Sequence, residues 1–245
     1  MQLISATIGN LECRVLDVEG GSPPELAVVL CHGYGAPGDD LVGLASEVLR
    51  LQPDLLGRVR FYFPAAPIVL QGFGWFESRA WWNIDMEKLE AAMVSGDVRD
   101  MRREEPEGVV DARRLFMGTL NEILGQTGLS WGRLVLGGFS QGAMLATDTA
   151  LRLEEAPGAL AVMSGTLLME DQWRPLAQKR AGLRVLQSHG RQDPLLPFVA
   201  AEWLRDLMVE SRLEVDFLPF DSVHTIPAEA VVRLAALIKD TCDGD

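Results

Sequence analysis

An α/β fold, with a mostly parallel central sheet and helices on both faces, is what the sequence predicts, and three observations predict it. Continuously apolar runs such as Leu26-Ala27-Val28-Val29-Leu30-Cys31 and Leu134-Val135-Leu136 suit strands buried on both faces. Segments with apolar residues three and four positions apart alternate with such runs to the end of the chain. The pentapeptide Gly138-Phe139-Ser140-Gln141-Gly142 joins one of these runs to the helix-like stretch Ala143-Met144-Leu145-Ala146. That context marks a sharp strand-to-helix turn, in which flanking glycines remove the Cβ atoms that would collide.

In chain order, residues 2 to 8 and 11 to 18 alternate apolar and polar positions around Gly9-Asn10, predicting an antiparallel hairpin at a sheet edge. After Gly20-Gly21-Ser22-Pro23-Pro24 comes the central strand 26–31, which ends in the small-residue turn His32-Gly33-Tyr34-Gly35. Leu41, Leu44, Ala45, Val48 and Leu49 give residues 39–51 one buried helical face. Residues 59–63 form the next strand, stopped by Pro64-Ala65-Ala66-Pro67. Residues 73–82 hold two Phe and three of the six Trp, in a stretch too irregular for one helix face. Such a cluster floors an apolar pocket or pins a loop to the core; Phe73, Trp75, Trp81 and Trp82 are the candidate pocket residues. The charged run 97–107 reads as a solvated face, and about 71–107 as a candidate cap or insertion. Helical spacing returns at Ala112, Leu115, Phe116, Thr119, Leu120, Ile123 and Leu124. Strands at 159–163, 183–189 and 213–220, and helices at 199–208 and around Val231, Leu234, Ala235 and Ile238, complete the chain. There is no repeat, linker or composition break, so 1–245 reads as one domain.

A chain of 245 residues with 48% hydrophobic content is ample for a buried core. Cys13, Cys31 and Cys242 are odd in number and far apart, which suggests neither a disulfide framework nor a zinc knuckle; a reducing, cytoplasmic setting follows. The N-terminus lacks a basic region followed by a long apolar stretch, and no run approaches the length of a membrane span, so a leader and stable membrane insertion are not expected. A formal charge of −13 with no basic stripe argues against nucleic acid as a partner.

The chemistry gathers at Ser140. Its place at the mouth of the sheet and the start of a helix favours negative charge developing beside it, as attack on an acyl carbon produces. A serine hydroxyl needs a base in reach, and the base needs a group that orients it. Of the three histidines, His32 precedes the glycine turn, where an imidazole braces backbone, and His189 ends a strand. His224, in the loop before the last helix, is the preferred base. Asp193, stiffened by Pro194, is the preferred orienting acid, with Asp171, Asp216 and Asp221 as alternatives. The order Ser140, Asp193, His224 is then that of α/β-hydrolases.

The segments Leu30-Cys31-His32-Gly33-Tyr34-Gly35, Phe63-Pro64-Ala65-Ala66-Pro67, Arg79-Ala80-Trp81-Trp82, Gly137-Gly138-Phe139-Ser140-Gln141-Gly142, His189-Gly190-Arg191-Gln192-Asp193-Pro194 and His224-Thr225-Ile226-Pro227 occur in an order that resembles the phospholipase/carboxylesterase group of α/β-hydrolases. The resemblance implies an α/β-hydrolase fold, Ser140 as nucleophile, His224 as base and then acid, Asp193 as the orienting residue, and backbone N–H groups of Tyr34 and Gln141 as the oxyanion hole. It also implies no metal or organic cofactor, and a small-molecule ester or thioester as substrate. Tyr34 stands where relatives often carry a small aliphatic residue, and Asn83 where an acid often follows the aromatic pair. A carboxylesterase for short to medium acyl chains is the expected activity, with a thioesterase or lysophospholipase using the same triad as the alternative. A catalytically silent fold that binds a ligand or a protein is the alternative of another class, and a homodimer is compatible with either.

Overall fold

The computed structural model describes residues 1–18, 21–71, 77–85 and 100–244. Strands β1 (Gln2–Ile8) and β2 (Leu11–Asp17) pair antiparallel around Gly9, whose φ of +62° supplies the left-handed turn that the hairpin needs. β1 is the sheet's outer edge and exposes six of its seven residues. β2 lies antiparallel to β4 (Val59–Pro64), and from there the sheet is parallel. β3 (Leu26–Cys31) runs between β4 and β7 (Leu134–Phe139), followed outward by β8 (Ala159–Met163), β9 (Arg184–Gly190) and β10 (Glu214–Phe220). The spatial order is β1-β2-β4-β3-β7-β8-β9-β10.

The continuous apolar run of β3 has a direct physical reading. Successive side chains point to opposite faces, and Ala27, Val29 and Cys31 enter one core while Leu26, Val28 and Leu30 enter the other. Helix α1 (Val42–Leu51) covers the second core with Ala45, Val48 and Leu49, together with the C-terminal helix α6 (Ala228–Asp243) through Leu234, Ala235 and Ile238. The first core is covered by α2 (Val109–Thr127), α3 (Gln141–Arg152), α4 (Glu170–Ala177) and α5 (Phe198–Glu210). Helix α3 is buried along 141–151, so its Asp148 cannot be solvated. Arg152 and Trp173 each donate to that carboxylate at 2.8 Å, and Arg113 also pairs with it, which satisfies the charge a dry core would otherwise penalise.

Three features depart from the sequence reading. Helix α1 begins at Val42 rather than at residue 39, because residues 37–42 close turns instead, with Asp40 and Val42 N–H groups bonded to Pro37 and Asp39 carbonyls. A two-stranded sheet, β5 (Ile68–Leu70) with β6 (Ser78–Ala80), was not expected, since three residues carry no period. Helix α4 was also unforeseen: its eight residues contain Pro175, which reads as a breaker. Of the candidate cap, residues 72–76 and 86–99 lie outside the described residues.

Candidate active site

The parallel strands all end on one side of the sheet, where open α/β sheets bind ligands, and the turn after β7 is tightly constrained there. Ser140 adopts φ 55° and ψ −119°, a conformation that L-residues rarely hold without support. Support comes from both sides. The Ser140 N–H donates to the Met163 carbonyl at 2.9 Å, and the Ser140 carbonyl accepts from Met144 N–H at 3.1 Å. A Cβ at Gly138 would overlap the Cys31 carbonyl oxygen, and one at Gly142 would overlap the backbone of Cys31 and His32. Only glycine lets the elbow sit against the end of β3.

The loops after β9 and β10 are stitched together: Arg191 N–H donates to Phe220 O at 2.8 Å and Gln192 N–H to Ser222 O at 3.0 Å. This brings Asp193 to His224, whose Nδ1 lies 2.6 Å from Asp193 Oδ2. A carboxylate only accepts, so Nδ1 carries the proton, and in the neutral ring Nε2 is left as the basic nitrogen. Asp193 Oδ1 accepts from the N–H groups of Leu195 and Leu196, both at 2.9 Å. Burial alone would raise the Asp193 pKa; the bond from His224 and its charge, the Leu196 N–H and His189 outweigh it, and the carboxyl sits below its ordinary value. The pairing therefore contributes stability above the ordinary aspartate range and loses it as pH falls through the lowered value. Of the other candidate acids, Asp216 pairs with Arg233 and Asp221 lies 3.5 Å from Arg191, while Asp171 is in the first turn of α4.

The other two histidines brace the frame. His189 is fully buried, and its Nε2 lies 2.8 Å from Leu196 O and 3.3 Å from Asp193 Oδ2. His32 donates from Nδ1 to Gly33 O at 2.8 Å and accepts at Nε2 from Ala66 N–H at 3.0 Å, so both ring nitrogens are consumed. Burial holds its pKa down to about 4, against an ordinary 6.5. Below pH 6.5 the unfolded chain then binds a proton that the folded chain refuses, and stability falls. By pH 4 this one residue should cost about 3 kcal/mol. Urea titrations at pH 7 and at steps down to pH 4 should show a shallower loss for His32→Asn than for the native chain.

His32 thereby fixes the turn that carries Tyr34. Gly35 N–H donates to Arg79 O at 2.8 Å and Arg79 N–H to Ala36 O at 3.1 Å, clamping the turn to β6. A Cβ on Gly33 would stand 3.2 Å from the Phe139 ring and 3.3 Å from Ser140 Cβ, a measure of how closely turn and elbow approach. Gln141 opens α3, where first-turn N–H groups have no partner within their own helix.

Ser140, His224, Tyr34 and Gln141 all line one cavity of about 870 Å³. Gly33, Phe139, Met144, Leu168, Leu195 and Leu196 form apolar wall, and the His224 ring packs 4.6 Å from that of Phe139. The described parts of the 71–107 segment supply Trp82 to Asp85, Met101 and residues 104–107. Among the expected pocket residues, Trp82 lines the cavity; Phe73 and Trp75 lie outside the described residues. Trp81 corrects the expectation. It is 1% exposed and stands behind the cavity wall, because its indole N–H is satisfied by His32 O at 2.9 Å and its ring packs against Phe116. Among the described residues no group of three His, Cys, Asp or Glu is placed to hold a metal ion, and no helix is long and apolar enough to cross a membrane.

A family model described as phospholipase/carboxylesterase matches residues 15–241. The chain belongs to the phospholipase/carboxylesterase family. Within that family it is 29% identical over 237 residues to acyl-protein thioesterase 1 of Eremothecium gossypii, covering 91% of each chain. Among solved structures it superposes on esterase PE8 with a TM-score of 0.75 and 26% identity, over 98% of this chain and 100% of the other. A carboxylesterase of Mesorhizobium loti shares the fold with a TM-score of 0.71 at 20% identity, over 96% and 98% of the two chains. The family's α/β-hydrolase architecture is the one described above, and the chain is a hydrolase.

Proposed function

We propose that the chain cleaves carboxylic esters of short to medium acyl chains through an acyl-enzyme on Ser140. The observation that carries the reading is the 2.6 Å hydrogen bond from His224 to Asp193, made at a cavity that also holds Ser140 on its strained turn. His224 Nε2 takes the Ser140 proton as Oγ attacks the carbonyl carbon. The N–H groups of Tyr34 and Gln141 receive the oxyanion. Collapse breaks the bond to the leaving group, which takes the proton from His224 and departs. Water, deprotonated in turn by His224, attacks the acyl carbon; the bond to Oγ breaks, the proton returns to Ser140, and the free acid leaves. Asp193 holds the imidazole in the useful tautomer and stabilises the imidazolium. We read 1–245 as a single hydrolase domain acting in a reducing, cytoplasmic setting; Cys13, Cys31 and Cys242 are buried free thiols, and burial pushes the Cys13 thiol up to about 12.

A fluorophosphonate probe tests the assignment. It should label the protein once, at Ser140 by peptide mapping, and p-nitrophenyl esters should be turned over with an optimum in the short to medium range. No label at Ser140 together with no ester turnover would leave the silent-binder reading instead.

Thioester cleavage uses the same steps, and the similarity to an acyl-protein thioesterase favours including it. The leaving group then decides. The described lining residues include the carboxylates of Asp40, Glu105 and Glu107, and no Lys or Arg. A polyanionic leaving group meets like charge there, most strongly at low salt. The kcat/KM for butyrylthiocholine should exceed that for butyryl-coenzyme A by more than about tenfold at low ionic strength. The gap should narrow in half-molar salt, as side-by-side thiol-release assays would read.

A further inference from the structure

We infer that the Gln141 side chain, together with Trp81, is a positioning device that locks the two oxyanion donors into one frame; the inference rests on the serine hydrolase reading above. Backbone donors need no particular side chain, yet the Gln141 carboxamide is fully buried and both of its ends are used. Oε1 accepts from Trp81 backbone N–H at 2.9 Å, and Nε2 donates to Trp82 O at 2.8 Å. The amide thus pairs with the 81–82 backbone as a second peptide group would. The Trp81 indole N–H then donates to His32 O at 2.9 Å, and the ring of His32 holds Gly33 O and Ala66 N–H. The path runs from one donor residue, Gln141, through Trp81 and His32 to the turn bearing the other, Tyr34. Gly33 closes it by its approach to Ser140.

The chemistry of each link is specific. The carboxamide accepts from the Trp81 N–H and donates to the Trp82 carbonyl at once, with a separate atom for each bond. Glutamate would set a second acceptor against that carbonyl, and methionine would leave both backbone groups buried and unpaired. Phenylalanine at 81 removes the donor to His32 O while keeping an aromatic ring in the site, at the cost of some packing volume. Oxyanion donors act through preorganised geometry, so loosening this frame weakens transition-state binding while ground-state binding is little changed.

The experiment uses Gln141→Met and Trp81→Phe in the full chain, with p-nitrophenyl butyrate as substrate. A trifluoromethyl ketone that forms a hemiketal serves as the charged transition-state mimic, and the matching tertiary alcohol as neutral control. For folded variants, kcat should fall by about 30-fold with KM within about threefold. Inhibition by the ketone should weaken by a similar factor, with no change for the alcohol. The double variant should lose less than the product of the single losses, since either break opens the same path. If either folded variant keeps native kcat and ketone affinity, or loses ketone and alcohol affinity alike, the inference fails. Trp81→Phe decides the matter should Gln141→Met not fold. A native protein with neither turnover nor label at Ser140 would instead overturn the hydrolase reading on which the inference stands.

Discussion

Ser140→Ala should lower kcat for p-nitrophenyl esters by at least about 10⁴-fold while leaving the fold in place. The hydroxyl is the only group removed. The Cβ, 3.3 Å from where a Gly33 Cβ would stand, remains, and the backbone bonds at Met163 and Met144 are unaffected. Alanine meets the same φ of 55° that serine already endures, so no new strain is added. The proposed oxyanion donors and the cavity are untouched in the variant, so it should still bind a slowly turned-over ester. The check is paired: initial rates at saturating ester, and a urea midpoint close to the native one. Turnover retained within tenfold of native would remove Ser140 as nucleophile.

Gly142→Ala should have the opposite profile, a collapse of stability rather than of chemistry alone. In an ordinary helix interior the change gains about 1 kcal/mol. Here the added methyl falls on the carbonyls of Cys31 and His32, which are backbone at the end of the central strand β3 and cannot swing aside. Helix α3 is buried along 141–151 and has no room to retreat. A loss of more than about 3 kcal/mol, or failure to accumulate folded protein, is expected. Gly118 in α2 is the control, because nothing stands within 4 Å of its missing Cβ. Gly118→Ala should raise the urea midpoint slightly, and the difference in sign between two helical glycines isolates the steric cause.

How much of this was legible in the sequence depended on whether the physics was local. Runs such as 26–31 and 159–163 announce doubly covered strands by being apolar throughout, and the structure shows why: alternate residues feed separate cores. The outer hairpin was readable from alternation and Gly9-Asn10. Helix α4 and the β5–β6 pair were not, because a proline in one and three-residue lengths in the other erase periodicity. The glycine elbow marked Ser140, a loop position favoured His224 and Pro194 favoured Asp193, but the 2.6 Å contact between Asp193 and His224 depends on which loops the sheet brings together, a nonlocal fact. Composition marked the aromatic stretch without telling which ring faces the cavity, so Trp81 and Trp82 looked equivalent when only Trp82 lines it. The Gln141 carboxamide was invisible for a similar reason. Its partners lie about 60 positions away in the chain, and a residue singled out for its N–H gives no hint of what its side chain holds.

The sheet order distributes the proposed active site unevenly. Ser140 hangs from β7, which has β3 and β8 on its flanks, whereas His224 follows β10, the outermost strand on that side, with only β9 beside it. Fluctuations that open a fold begin at such margins and reach the middle last. Withdrawal of β10 and its loop would carry the proposed base away from a proposed nucleophile that stays in place, so turnover should be lost before the folded state is. Heat or denaturant should first yield a population with an intact centre, Ser140 still on its turn, and His224 drawn away from it.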